Sequence, residues 1–348
     1  MKPEIRRFFR KSLLELSPYQ SAREEFVSDG RTMILLDANE NPFPSETNRY
    51  PDPMQRELKQ KIADWKKVST EQLYLSNCSD EFISQIIMAC CEPATDHIVI
   101  VPPTFGMYKV AARTYGVAVR EVPLDADFQL DAEAVLEATD DHSKIIFIPT
   151  PNNPTANSFD VQALKKIIQE FPGLVVVDEA YIEFTDQASF IELLDSHSNL
   201  VVCQTFSKAQ GMAGARLGMA FAHPELIRYL NRIKAPYNIN SLTLAAALQR
   251  LEEQDQVQEQ VAFMLEERKR LEAAFAEIGF IKTIFPSDAN FVLVRVDDSS
   301  LRYQELLDSG IVVRNPSNNT ACENTLRISV GIAEENNALI RALRTLDT

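Results

Sequence analysis

The feature that most constrains this chain is a series of short apolar runs, rich in β-branched residues and scarcely broken by polar ones: His97–Val101, Val117–Val122, Lys144–Ile148, Leu174–Val177, Leu200–Cys203 and Met219–Ala222. A strand with one face in water alternates apolar and polar residues, whereas a strand covered on both faces has no need to. Several of the runs are separated by helical or loop stretches, which predicts a mostly parallel sheet covered by helices. Ahead of them, Ser79-Asp80-Glu81 is a helix-start signal, followed by apolar residues at Phe82, Ile83, Ile86, Ile87 and Cys90 with helical spacing. Residues 46–240 are thus expected to form a large α/β domain.

The pattern changes beyond it. From Ser241 to Ile278 charged and amide residues alternate with Leu, Ala, Val and Met, without Gly or Pro, which predicts a long helical connector. A strand at Asn290–Val296, a helix around Leu301–Asp308 ended by Gly310, strands at Ile311–Arg314 and Thr325–Val330, and a closing helix from Glu334 then make a smaller α+β unit. With the connector this C-terminal domain covers 241–348, and residues 1–45 are read as an N-terminal arm and part of the small domain. A crevice between two such domains is a common ligand site.

Composition excludes several alternatives. A chain of 348 residues that is 45% apolar and 24% charged can bury a large core, unlike a disordered or coiled-coil sequence. Thirty-five basic residues against 50 acidic ones leave a net charge of −15, which repels nucleic acid and anionic membranes at long range. No apolar run approaches the eighteen or so residues of a membrane helix, and Met1–Leu16 lacks the apolar stretch of a secretory leader, so a cytoplasmic location is expected. Five cysteines, odd in number and without C-x-x-C spacing, read as reduced and mostly buried thiols. The four histidines are scattered, and no metal site is expected.

Chemistry concentrates at the ends of the apolar runs. Val175-Val176-Val177-Asp178-Glu179-Ala180-Tyr181 delivers an acidic pair to the carboxyl end of a strand, where open α/β sheets bind ligands. Such a pair suits the magnesium site of an ATPase or the pyridinium partner of pyridoxal phosphate (PLP), or simply caps a strand; the G-x-x-x-x-G-K-[ST] loop of an ATPase is absent. Another run leads into Thr205-Phe206-Ser207-Lys208, followed by Gly211, Gly214, Arg216 and Gly218. A lysine there is either solvated in a loop or a Schiff-base former, and the hydroxyls and arginine can hold a phosphate. Pro149-Thr150-Pro151-Asn152-Asn153-Pro154-Thr155-Ala156-Asn157 is a rigid loop able to present an amide. Pro103-Thr104-Phe105-Gly106-Met107-Tyr108 sets aromatics after a strand, placed to stack on a flat ring or merely to turn the chain.

Taken in order, these segments resemble the fold-type I PLP-dependent aminotransferases from Ser17 to the C-terminus, most closely the histidinol-phosphate aminotransferase branch. Further matching motifs are Ser17-Pro18-Tyr19-Gln20-Ser21-Ala22-Arg23, Leu36-Asp37-Ala38-Asn39-Glu40-Asn41-Pro42, Arg49-Tyr50-Pro51-Asp52, Asp178-Glu179-Ala180-Tyr181-Ile182-Glu183-Phe184 and Leu326-Arg327-Ile328-Ser329-Val330-Gly331. The resemblance implies a PLP-dependent transferase fold, PLP as cofactor, a homodimer, and amino transfer between L-histidinol phosphate and 2-oxoglutarate in histidine biosynthesis. It implies Lys208 as the catalytic lysine, Asp178 on the pyridinium, Asn153 and Tyr181 on the phenolic oxygen, and Phe105 on the ring face. Thr205, Ser207, Arg216 and the backbone N–H groups of Ser79 and Asp80 are expected on the cofactor phosphate, joined by Tyr50 from across the dimer interface. Arg327 is expected on the substrate carboxylate and Arg314 on the substrate phosphate, with Tyr19 and Asn39 closing over it.

Related activities implied by the same branch are aromatic amino-acid transamination and threonine-phosphate decarboxylation. A non-enzymatic PLP-binding regulatory module is disfavoured by the presence of the lysine, aspartate and arginines together. Two positions depart from the family pattern: Cys78 and Ala156 stand where relatives carry glycine. If the backbone needs a positive φ at Cys78, that residue costs on the order of 1 kcal/mol or more.

Overall fold

The computed structural model describes residues 5–17, 19, 23, 31 and 33–347; Pro18, Gln20, Ser21 and Ala22 of the first motif lie outside the described residues. Strands β1 (Leu73–Ser76), β2 (His97–Ile100), β3 (Ala118–Glu121), β4 (Ser143–Pro149), β5 (Leu174–Asp178), β6 (Leu200–Thr205) and β7 (Gly218–Ala222) form one sheet in the order β1-β7-β6-β5-β4-β2-β3. Pairings β3-β2, β2-β4, β4-β5 and β5-β6 are parallel, and β7 runs antiparallel to both β6 and β1. Each of the six apolar runs is therefore a strand of one mostly parallel sheet.

The absence of alternation has the cause inferred from it. Every residue of β2, β5, β6 and β7 is buried. Val175 and Val177 pack into the core on one face of the sheet, and Leu174 and Val176 into the core on the other. The helix Cys78–Cys90 supplies Phe82, Ile83, Ile86 and Ile87 to that second core, the spacing that puts them on one helical face. The opposite face is covered in part by helix Val161–Glu170, whose start is fixed by Asp160 accepting from the Ala163 N–H at 2.8 Å.

A second sheet, ordered β10-β9-β8, is antiparallel and built from β8 (Ile281–Ile284), β9 (Phe291–Val296) and β10 (Thr325–Ser329). Helices Gln254–Phe275, Ser299–Asp308 and Ala333–Leu346 pack on it around their own core. A smaller cluster joins the two halves: Ala156, Tyr181, Phe184 and Ala209 meet Ala289 and Phe291.

Two expectations are corrected. The connector is not one helix but two, Ser241–Glu252 and Gln254–Phe275, broken at Glu253 with φ −103° and ψ 28°. No glycine or proline marks the corner. It is held by the Arg250 side chain, which donates to the Gln210 carbonyl at 2.8 Å, Glu253 at 3.1 Å and Gln260 at 2.6 Å. The apolar stretch Ile311–Arg314 is not a strand. Its first residue ends the preceding helix, the Ile311 N–H bonding the Leu306 carbonyl at 2.8 Å behind Gly310 at φ +78°. Only Arg314 then reaches β10, as an isolated bridge to Arg327. Strands β1 and β8 lie outside the runs read from sequence.

Among the described residues no helix is long and apolar enough to cross a membrane. All five cysteines are free and buried.

Candidate active site

The carboxyl ends of β4, β5 and β6 and the segment after β2 open on one cavity, the place where an open α/β sheet leaves a crevice. It is lined by Ser79, Asp80, Phe105, Asn153, Asp178, Tyr181, Thr205, Ser207, Lys208 and Arg216, with Cys78, Pro149, Pro151 and Ala180 completing the wall. Residues predicted from motifs scattered over more than a hundred positions thus share one pocket.

Asp178 ends β5 and is 4% exposed. Its Oδ2 accepts from the Tyr108 hydroxyl at 2.7 Å and its Oδ1 from the Ala180 N–H at 3.1 Å. Burial pushes its carboxyl up to about 6, against those hydrogen bonds and the nearby charge of Lys208. No cation is bonded to it among the described residues, so this carboxylate lacks the partner that a buried charge ordinarily has. Tyr108 itself is wholly buried and stacks on Phe147 with centroids 4.8 Å apart. Sequence reasoning assigned Tyr108 no role, although the aromatic-rich segment after β2 contained it.

Glu179 points elsewhere. It is fully buried and accepts from Ser189 Oγ at 2.6 Å, the Phe190 N–H at 2.6 Å and Gln204 Nε2 at 2.7 Å. The acidic pair therefore divides, Asp178 to the pocket and Glu179 to a polar network that ties β5 to β6.

Lys208 follows β6, with its ammonium 5.3 Å from the centroid of the Tyr181 ring. Tyr181 meets Phe291 edge-on at 5.2 Å, and Phe105 meets Tyr108 edge-on at 5.6 Å. Asn153 Oδ1 accepts from Arg327 Nη1 at 2.5 Å, which turns the amide so that its N–H groups remain for a ligand oxygen. Arg327 is half-buried on β10, and its backbone pairs with that of Arg314, N–H to carbonyl at 2.8 and 3.0 Å in the two directions. Arg314 itself is exposed and does not line the cavity.

At the other end of the pocket the helix Cys78–Cys90 begins, and its first turn, Cys78, Ser79 and Asp80, lines the cavity, a helix start of the kind that binds anions. Ser79 is buried there, and Arg216 bridges Asp80 at 3.0 Å. The Ser207 N–H donates to Thr205 Oγ1 at 3.1 Å. The cup is closely built: a Cβ on Gly218 would lie 2.5 Å from the Cys78 carbonyl carbon and 2.6 Å from the Ser79 nitrogen. Cys78 has φ +65° and Ala156 φ +69°, so both departures from the family's glycines sit in left-handed backbone.

Tyr50, Tyr19 and Asn39 do not line the cavity. Tyr50 stacks on Tyr237 with centroids 4.4 Å apart and stays half exposed; Tyr19 is 74% exposed. Three motifs nevertheless converge on one group. The Glu40 carboxylate accepts from Arg23 Nη2, Arg49 Nη1 and the Tyr50 N–H, each at 2.6 Å.

A buried carboxylate without a cation, an amine, and a cluster of hydroxyls, helix N–H groups and an arginine fit a flat ligand with a protonated ring nitrogen at one end and a phosphate at the other. That is the donor set of PLP.

Comparison with known proteins agrees. Residues 34–343 match the family described as aminotransferase class I and II. The chain is 47% identical over 343 residues to a histidinol-phosphate aminotransferase of Parabacteroides distasonis, covering 99% of each. Its fold is similar to the crystal structure of the histidinol-phosphate aminotransferase of Clostridium acetobutylicum, at 27% identity and TM-score 0.81 over 87% of this chain and 91% of that one. It is also similar to the enzyme of that name from Sinorhizobium meliloti in complex with pyridoxal-5'-phosphate, at 26% identity and TM-score 0.79 over 86% and 84%. On sequence, fold and site together, the chain belongs to the aminotransferase class I and II family.

Proposed function

We propose that the protein is a PLP-dependent histidinol-phosphate aminotransferase, interconverting L-histidinol phosphate plus 2-oxoglutarate and imidazole-acetol phosphate plus L-glutamate in histidine biosynthesis. The observation that carries this reading is the cation-free buried carboxylate of Asp178 sharing a pocket with Lys208 and the anion cup of Ser79, Thr205, Ser207 and Arg216.

The cofactor, when bound, supplies an electron sink that makes the α-proton of an attached amine acidic. Asp178, ionised against a ring N–H, keeps that nitrogen protonated. Thr205, Ser207, Arg216 and the N–H groups of Ser79 and Asp80 hold the phosphate, Asn153 and Tyr181 the phenolic oxygen, and Phe105 covers the ring. Lys208 Nζ takes the proton from the substrate α-carbon as general base and returns it as general acid. Arg327 holds the carboxylate of glutamate or 2-oxoglutarate bidentately, and Arg314, its neighbour across the bridge, takes the phosphate of histidinol phosphate, with Tyr19 and Asn39 closing over it. Donor and acceptor occupy the same pocket in turn, so ping-pong kinetics follow.

The working unit in this reading is a cytoplasmic homodimer in which Tyr50 reaches the cofactor phosphate of the partner. Its exposure, its absence from the lining of its own chain's cavity and the exposed apolar Ile34, Leu36 and Phe43 close to it in sequence support that assignment.

The test is to mix the cofactor-loaded protein with L-histidinol phosphate and 2-oxoglutarate and follow glutamate. Glutamate should accumulate with the wild type and not with Lys208→Ala, whose cofactor absorbance in the visible should also be lost. A wild type that stays colourless after PLP is added would overturn the reading.

A further inference from the structure

A second cavity, of about 1150 Å³, lies between helices Arg56–Lys66 and Pro224–Ile233 and shares no residue with the cofactor pocket. On a chain with a net charge of −15, its wall carries four cations, Arg56, Lys59, Arg228 and Arg232, against two carboxylates, Glu71 and Glu225. Most of these cations are engaged: Arg56 with Asp52 at 2.7 Å, Arg228 with Glu225 at 3.3 Å, and Arg232 with the Leu14 carbonyl at 3.5 Å.

Lys59 is the exception. It is only 6% exposed, lines the cavity, and its side chain makes no hydrogen bond or ion pair with a described residue. The carboxylate whose charge acts on it, Asp52, is spent on the Arg56 side chain and on the backbone N–H groups of Met54 and Arg56. The neighbouring Lys234 repels it while donating to the Pro53 carbonyl at 2.7 Å and to Asn238 at 3.0 Å. Burial, joined by that repulsion, pushes the Lys59 ammonium down to about 8. An ammonium largely withdrawn from water, with no partner among the described residues, is costly, and an anion in the cavity lowers the cost.

We propose that this cavity is a second ligand site, for a small phosphorylated metabolite, with Lys59 as its buried cation. Phosphate suits it better than carboxylate. Of the three arginines on the wall, Arg56 and Arg228 already give a guanidinium nitrogen to Asp52 and Glu225, which spoils the bidentate clamp that suits a carboxylate, whereas a phosphate accepts from separate donors and from a lysine acting as a point charge.

The experiment is amine acetylation of the holoenzyme, whose cofactor phosphate site is filled, with labelling at Lys59 read by peptide mass spectrometry. Pyrophosphate is the probe, and sodium chloride at equal ionic strength the control. The expected result is protection of Lys59 by millimolar pyrophosphate and not by the salt. In a direct binding titration, Lys59→Met should weaken this pyrophosphate binding about tenfold and Lys59→Arg should largely restore it, both variants keeping wild-type transamination without the probe. Equal protection by salt, no protection, or a Lys59 that never labels because a second copy of the chain covers it would overturn the proposal.

Discussion

The phenol of Tyr108 donates to Asp178 Oδ2 across 2.7 Å inside the core, so the carboxylate at the end of β5 is aimed by a residue from the helix that follows β2. Removing that hydroxyl leaves the ring stacked on Phe147 but takes away a hydrogen bond to a charged group, worth about 1.5–3 kcal/mol. Tyr108→Phe should therefore fold normally and bind PLP about tenfold or more weakly, as measured by titrating the cofactor-free protein. Unchanged affinity would show that Asp178 is oriented by the Ala180 N–H alone.

Gly218 tests how closely the phosphate cup is built. A methyl group there meets the main chain of Cys78 and Ser79 at 2.5–2.6 Å, and neither atom belongs to a flexible side chain. Gly218→Ala should cost about 2 kcal/mol of stability in chemical denaturation and loosen the cofactor by moving the start of helix Cys78–Cys90. A variant as stable as wild type, with normal PLP affinity, would contradict the packing described.

The Glu179 network makes a pH-dependent prediction. Burial pushes its carboxyl up to about 7 despite hydrogen bonds from Ser189, Phe190 and Gln204, and Asp178 moves in the same direction, to about 6. A folded pKa above the unfolded value means that the folded state holds the proton more tightly. The resulting stabilisation is complete below the unfolded pKa, near 4.5, and is lost as pH rises through about 7. In Glu179→Gln the cofactor-free protein should lose part of this dependence, flattening the change in unfolding free energy across that window by on the order of 2–3 kcal/mol. Urea midpoints followed across the window in both proteins measure it, and parallel curves would rule out Glu179 as the source.

Much of this architecture is legible in the residues themselves. Uninterrupted runs such as Val175-Val176-Val177 are buried strands because both faces of the sheet are covered, and the motifs at their ends fall into one pocket because parallel strands present their carboxyl ends on one side. The glycine usual in the family at the position of Cys78 raises the question of a positive φ there, and the fold answers it at Cys78 and again at Ala156. What was not legible depends on long-range partners. Arg250 holds the corner of the connector by reaching Gln210, and Tyr108 gains its role only from the fold that sets it against Asp178. Glu40 gathering Arg23, Arg49 and the Tyr50 N–H is likewise invisible until three separate motifs are brought together.

The most direct measurement of the central claim compares kcat/KM for amino transfer from L-histidinol phosphate with that from phenylalanine, and with decarboxylation of threonine phosphate, in the wild type and in Arg314→Ala. The site described predicts that histidinol phosphate is preferred by about a hundredfold or more, and that Arg314→Ala removes most of that preference while leaving the phenylalanine rate nearly unchanged. Threonine phosphate decarboxylated faster than histidinol phosphate is transaminated, or equal losses on both amines in the variant, would contradict it.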